Sequence, residues 1–370
     1  MRVLMISKAC VVGAYQRKLE EIAALPGVDL LLVVPPYWQE EARRLVLERL
    51  YTSGYRLEVE PVRFNGRFHL FYFPGLASHF HAFRPDIVHV DEEPYNLAAW
   101  QAVRLARAVG ARSLFFTWQN LYRQYPPPFC WMERYCFRNV RRAIAGNHEA
   151  AEVLRRKGFD KPVDVVPQFG VDLEIFRPPD EAQQSSFAAG PFCIGYVGRL
   201  VEQKGILDLL EAVAGMPGDW KLKLVGAGPL RATVEARAAA LGMADRLEIV
   251  PGVPSREMPA IYRRLNVLVL PSRTRPNWKE QFGRALIEAM ACEVPVVGSD
   301  SGEIPNVIGD AGLVFPEGDV AALRARLELL RASPELRREL GRRGRARVAD
   351  SYTQAKVAER TYHVYLEMLS

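Results

Sequence analysis

The 370-residue sequence is poor in cysteine, with five: Cys10, Cys130, Cys136, Cys193 and Cys292. Most lie in apolar runs and none shows the spacing of a zinc site; a disulfide framework would be denser. This pattern reads as a reducing, cytoplasmic compartment. Long apolar runs are also missing, and no stretch reaches the roughly 20 residues a membrane-spanning helix needs. The opening MRVLMISKAC has too short an apolar run for a signal peptide and no cleavage pattern, so it reads as a first strand. No repeat at solenoid period is present. No carboxylate pair suited to magnesium stands out. No nucleic-acid module is visible and the net charge is a modest +6, which argues against a nucleic-acid partner.

What is present is alternation. Apolar runs at residues 3–7, 30–34, 87–90 and 113–117 interleave with helical segments. A second series follows at 193–197, 222–225, 247–250, 267–271 and 294–298. Strands alternating with helices imply parallel sheets with right-handed crossovers. Between the series lies Pro178-Pro179-Asp180-Glu181-Ala182-Gln183-Gln184-Ser185-Ser186, polar and without period. A chain of this length is expected to form two domains, each with its own core. The boundaries read as 1–177 for the first, 178–190 for the linker and 191–351 for the second. Tyr352 to Leu369 reads as an amphipathic helix.

Charge is uneven. Residues 1–170 carry 23 Lys and Arg against 17 Asp and Glu, and the remainder is balanced. Much of the excess lies between Tyr125 and Arg142, where Phe129, Trp131, Tyr135 and Phe137 interleave with Arg134, Arg138, Arg141 and Arg142. Such a stretch suits an anionic membrane surface. It equally suits a helix with its aromatics in the core and its arginines in water.

The densest chemistry lies in WKEQFGRALIEAMACEVPVVGSD, residues 278–300. Glu280 sits in a loop beside Phe282 and Gly283. Glu288 sits within Ala285, Leu286, Ile287, Ala289, Met290 and Ala291, a segment apolar on nearly all sides and therefore buried. A carboxylate there needs a partner. A ligand hydroxyl would serve, and so would a structural ion pair. The helix is expected to start near Phe282, and helix starts favour anions. Hydroxyls and phosphates together describe a nucleotide sugar. Upstream, FCIGYVGRLVEQKG (192–205) is a strand ending at Gly198, followed by Arg199, Lys204 and Gly205. A planar guanidinium and a point ammonium suit a diphosphate. LKLVGAGPL (222–230) repeats strand, glycine loop and helix, with Gly226 and Gly228 in the loop.

Together these motifs resemble glycosyltransferase family 4, retaining enzymes of the GT-B fold. The resemblance is carried by Gly198-Arg199-Leu200 with Lys204-Gly205, Gly226-Ala227-Gly228-Pro229, Leu270-Pro271-Ser272 and the Glu280/Glu288 pair around Phe282-Gly283. Val294-Pro295-Val296, Ser301-Gly302-Glu303-Ile304-Pro305 and Gly312-Leu313-Val314 complete it. Several independent motifs agree in order over roughly residues 190–350. A looser match in the first half includes Gly13, Asp86-Ile87-Val88-His89-Val90 and the connector from Val166-Pro167 to Phe176.

The resemblance implies an α/β fold of two Rossmann-like domains facing across a cleft, with a C-terminal helix (352–370) crossing back to the first. It implies transfer of a sugar from a nucleoside diphosphate donor, a UDP-sugar or GDP-sugar, to a hydroxyl of a carbohydrate or lipid-linked acceptor, with retention of configuration and no metal or other cofactor. Glu280, Arg199 and Lys204 would be catalytic. Gly13, Gly198, Gly226, Gly228, Phe282, Gly283 and Glu288 would bind the donor with them. The same fold hosts sugar-nucleotide epimerases, which are expected to lack the Glu280/Glu288 pair. One departure stands out. Many relatives place a histidine two residues after a threonine at the end of a first-domain strand. This chain has Thr117-Trp118-Gln119, leaving Gln119, or His148 elsewhere, as the substitute.

Overall fold

The structure is a computed structural model that describes residues 1–40, 43–179 and 190–370. The greater part of the expected linker, residues 180–189, lies outside the described residues. The chain forms two compact units, Met1–Gly170 with Gln354–Ser370, and Val171–Thr353.

The first unit contains β1 (Arg2–Ile6), β2 (Asp29–Val34), β3 (Tyr37–Gln39), β4 (Arg44–Val46), β5 (Arg56–Val59), β6 (Ile87–Val90), β7 (Arg112–Thr117), β8 (Arg142–Ala145) and β9 (Val163–Val165). Seven form a sheet in the order β5-β2-β1-β6-β7-β8-β9, while β3 and β4 form a hairpin. The sheet is parallel throughout, with Val3 opposite Leu30 on one side and Ile87 on the other. Every residue of β6 is buried, as are five of six in β2 and β7. A parallel sheet covered on both faces demands such runs, which is why these strands are plain in the sequence.

Asparagine fixes two helix starts in this unit. The Asn96 side chain accepts from Ala99 N at 2.8 Å to open Leu97–Ala108, and Asn147 accepts from Ala150 N at 2.7 Å to open His148–Arg156. The final helix, Gln354–Leu369, packs into this unit's core through Val357, Ala358, Val364, Tyr365 and Met368. The helix expected to return to the first domain does so.

The second unit contains β10 (Phe192–Val197), β11 (Trp220–Val225), β12 (Leu247–Val250), β13 (Val267–Leu270), β14 (Val296–Ser299) and β15 (Leu313–Phe315), in the order β12-β11-β10-β13-β14-β15, again parallel. The expected first domain runs to residue 177, but Val171–Arg177 groups with the second unit. Val171 bridges to Thr353, and the Phe176 ring lies 6.2 Å from that of Tyr262. These anchors hold the connector to the second core.

Candidate active site

In each sheet the strand order reverses beside the first strand: between β1 and β6, and between β10 and β13. Ligands of doubly wound sheets bind at such switch points, outside the carboxyl ends of the strands.

In the second unit, the loops leaving β10 and β13 carry the residues singled out above. They are tied together: Arg273 N donates to Gln203 O at 2.8 Å, and Arg275 Nη2 donates to Glu202 Oε1 at 2.6 Å. Lys204 Nζ meets Glu280 Oε2 at 2.5 Å and lies 4.9 Å from the Trp278 ring centroid. Ser272 Oγ donates to the same oxygen at 2.7 Å. Glu280 is buried, 6 % exposed. A buried carboxylate is tolerated here because an ammonium and a hydroxyl both satisfy it. Gly302 packs against its backbone: a Cβ at Gly302 would lie 2.0 Å from Glu280 O. Arg199 is exposed at the mouth of the β10 loop, and its carbonyl accepts from Tyr196 Oη at 2.7 Å.

Glu288 is also buried at 6 % exposure, and both its oxygens are engaged. Arg284 Nε donates to Oε1 and Tyr262 Oη to Oε2, each at 2.7 Å. Burial and the neighbouring Glu288 push the Tyr262 hydroxyl well above its ordinary range, so it stays a donor. The structural partner foreseen for Glu288 therefore exists. Each carboxylate oxygen still has a second lone pair for a ligand hydroxyl. The helix begins at Arg284, with Gly283 before it, near Phe282 as expected. Phe282 is half-buried, its ring 5.7 Å from that of Tyr352.

The glycines of the β10 and β11 loops are where the two loops touch. A Cβ on Gly226 would lie 1.9 Å from Gly198 O, and one on Gly228 would lie 2.3 Å from Leu200 O. Leu200 N donates to Ala227 O at 2.9 Å. The two loops pack backbone on backbone, and only glycine permits that approach. Gly13, in the first unit, is covered as well. Its N–H donates to Glu48 Oε2 at 2.7 Å, and a Cβ would meet the Leu50 side chain at 2.6 Å.

At the first unit's switch point lies a cluster that sequence reasoning missed: Asp91, Glu92 and Glu93, all buried, directly after β6. Asp91 accepts from Ser7 Oγ at 2.6 Å and Gln168 Nε2 at 2.9 Å. Burial alone would raise its pKa, but Lys18 and those hydrogen bonds outweigh it and hold it below the usual range. Glu92 pairs with Lys8, whose ammonium lies 4.6 Å from the Phe68 ring centroid. Glu93 accepts from Thr117 Oγ1 at 2.6 Å and Trp118 N at 2.8 Å, yet burial pushes its carboxyl up to about 7. Tyr95 and Tyr125 stack beside it at 4.1 Å, with His69 at 5.5 Å from Tyr95. Three acids directly after the strand Ile87-Val88-His89-Val90 are the available signal, since acidic residues are almost never fully buried unless paired.

Gln119 accepts from Lys157 Nζ at 3.0 Å, and Lys157 also meets Glu133 Oε1 at 2.5 Å. His148 is exposed on the first turn of a helix that Asn147 caps. His89 is buried; its Nδ1 meets Tyr365 Oη at 2.7 Å, and Nε2 has no hydrogen-bond partner among the described residues. Burial drops its pKa to about 3, so the ring is neutral.

The basic aromatic stretch divides. Phe137 is in the core against Phe115 and Phe159, and Tyr125 stacks on Tyr95. Arg142 is not a surface cation: it pairs with Asp164 and Glu367 at 3.0 and 2.7 Å. Trp131, 61 % exposed, shares one face of the helix Phe129–Asn139 with exposed Arg134 and Arg138. Among the described residues no group of three or more His, Cys, Asp or Glu is arranged to hold a metal ion.

Comparison with known proteins joins these observations. Residues 179–347 match the family described as Glycosyl transferases group 1, and residues 12–168 match the Glycosyl transferase 4-like domain. A 2-deoxystreptamine N-acetyl-D-glucosaminyltransferase from Streptomyces fradiae is 31 % identical over 263 residues, 65 % of this chain and 61 % of the relative. A GDP-mannose-dependent alpha-(1-6)-phosphatidylinositol monomannoside mannosyltransferase from Mycolicibacterium smegmatis is 32 % identical over 195 residues, 50 % of this chain and 51 % of the relative. The match thus spans about half to three-fifths of these relatives' lengths. A sucrose-phosphate synthase structure from Thermosynechococcus elongatus superposes with a TM-score of 0.75 at 22 % identity, covering 100 % of this chain and 99 % of the other, which shows the fold. The two domain matches account for most of the sequence, and the chain belongs to glycosyltransferase family 4, with the Rossmann-like units of the GT-B fold.

Proposed function

We propose that this protein transfers a sugar from a nucleoside diphosphate donor, a UDP- or GDP-sugar, to an acceptor hydroxyl with retention of configuration. The observation that carries this reading is the cluster at the β10/β13 switch point: Arg199 exposed, and Lys204 held by a buried Glu280. Charge builds on the diphosphate as it leaves the sugar. Fixed cations beside it favour the transition state over the ground state. Glu280 positions the Lys204 ammonium through its Oε2 and sits where donor sugar hydroxyls are expected, beside the backbone of Phe282 and Gly283. Glu288, already oriented by Arg284 and Tyr262, takes the ribose hydroxyls on its remaining lone pairs.

The acceptor belongs to the first unit in this reading. Glu92, Glu93 and Lys8 offer hydrogen bonds, while Tyr95, Tyr125 and His69 offer ring faces, a combination suited to a polyhydroxylated ring. Trp131, Arg134 and Arg138 would meet an anionic membrane surface, fitting a lipid-linked acceptor or polysaccharide precursor at the inner membrane face. No helix among the described residues is long and apolar enough to cross a membrane.

Incubation with UDP-, GDP- and ADP-sugars tests the reading. A transferase releases nucleoside diphosphate slowly from the matching donor even without acceptor. Return of an altered sugar nucleotide would mean epimerisation, an alternative that the relatives named above do not support.

A further inference from the structure

The second unit has a cavity of about 530 Å³ remote from the carboxyl ends of its strands. Leu265 and Asn266 line it just before β13 begins, and Val294 and Pro295 line it just before β14. It therefore opens at the amino ends, the opposite edge of the sheet from Gly198, Ser272 and the residues assigned to the donor. Its volume lies within the range of about 300–1,000 Å³ typical of small-molecule sites.

Its walls are cationic. Arg263, Arg337, Arg338 and Arg342 line the cavity, with Glu293 as the only acid among its described lining residues. Much of the donor capacity is uncommitted. Arg337 gives Nη1 to Leu330 O at 2.5 Å and Arg331 O at 3.1 Å, leaving Nε and Nη2 without a hydrogen bond among the described residues. Arg263 is anchored by Nε to Arg177 O at 2.9 Å and by Nη2 to Ile175 O at 3.4 Å, leaving Nη1. Arg338 makes an exposed pair with Glu335, outside the cavity lining, and Arg342 makes no ion pair with a described residue. Like charges gathered without an anion repel one another. Burial, reinforced by Arg338 and opposed by Glu335, holds the Arg337 guanidinium below its usual range. Several guanidinium forks converging on one space match tetrahedral phosphate oxygens better than a single carboxylate, because each fork can engage two oxygens.

We propose that this arginine-lined cavity is a second ligand site, which binds a small soluble anion carrying more than one phosphate charge and is distinct from the donor site. Inorganic tripolyphosphate is the probe, titrated calorimetrically into the full chain. The cavity variant is R338Q/R342Q, two exposed positions whose loss leaves the core intact; an unchanged melting temperature confirms this. R63Q/R67Q, exposed in the first unit, is the charge-matched control, and R199Q reports on the donor loop. The cavity variant should weaken tripolyphosphate binding by about tenfold or more, as loss of charge-assisted hydrogen bonds predicts. The control should leave it within about twofold, a change of only about 0.4 kcal/mol. Equal weakening by cavity and control variants would mean general attraction and overturn the site. Binding abolished by R199Q but kept by R338Q/R342Q would assign the anion to the donor loop and also overturn it.

Discussion

Lys204 and Glu280, separated by 76 positions in the chain, meet at 2.5 Å at the switch point of the second sheet. The ammonium is thereby held in one place by a carboxylate that is itself fixed by Ser272. This alters what a substitution there should do. Lys204→Ala removes the cation proposed to stand beside the leaving diphosphate and also strands a buried carboxylate. Turnover should fall by about a hundredfold or more, and the melting temperature should fall with it. Lys204→Arg restores the charge and should recover stability more fully than turnover, since the fork differs from a point charge. Full turnover in Lys204→Ala would remove Lys204 from the mechanism.

Glu288→Gln separates ribose binding from structure. Its shape is preserved, but the charge-assisted bonds weaken. Nucleotide affinity, measured with UDP and GDP, should drop by about 1.5–3 kcal/mol. Stability should drop too, because Arg284 loses its ionic partner. Tyr262→Phe removes one bond to Glu288 Oε2 and should have a smaller effect on affinity. A lowered melting temperature with unchanged nucleotide affinity would make Glu288 a structural ion pair only.

The central strands of both sheets are legible because burial on both faces writes them as apolar runs. In the first sheet the edge strands are not: β5 and β9 are only partly buried, and β8, next to β9, opens on Arg142, which the sequence alone groups with a basic surface stretch. Glu288 is recognisable as a buried acid and Glu280 as a loop acid near it, but their partners Lys204, Ser272 and Tyr262 arrive from other strand–helix units. No local pattern encodes those meetings. The same holds for Gly226 and Gly228, whose Cβ-less faces are filled by the backbone of another loop. Asp91–Glu93 falls between two habits of reading, as the polar end of a strand on one side and a helix entry on the other.

Glu93 has a consequence for pH. Its folded pKa of about 7 lies above the roughly 4.3 of an unfolded glutamate. Within that window the folded state holds more protons than the unfolded one, so stability falls as pH rises. Glu93's contribution should be fully present below about pH 4.3 and lost as pH passes through 7. Melting curves between these limits should show a decline that Glu93→Gln flattens. An identical pH slope in both proteins would mean that Glu93 is ionised throughout.

The exposed helix face makes a separate prediction. Replacing Trp131 with Ala together with Arg134 and Arg138 with Gln should reduce sedimentation with anionic vesicles, since each surface cation contributes on the order of 1 kcal/mol, less at high salt. Donor hydrolysis should be untouched. Arg142→Gln, by contrast, should lower stability through lost bonds to Asp164 and Glu367 while sparing vesicle binding. An unmodified protein that ignores vesicles at every lipid charge would leave this face simply solvated.

The most direct test of the donor-site assignment is nucleoside diphosphate release by Arg199→Ala. Arg199 is exposed and lies in a loop, so its removal should not disturb folding. With the donor that the unmodified protein hydrolyses fastest, release should slow by about a hundredfold at an unchanged melting temperature. Release at the unmodified rate by a fully folded Arg199→Ala protein would contradict the account, and would move the diphosphate away from the β10 loop.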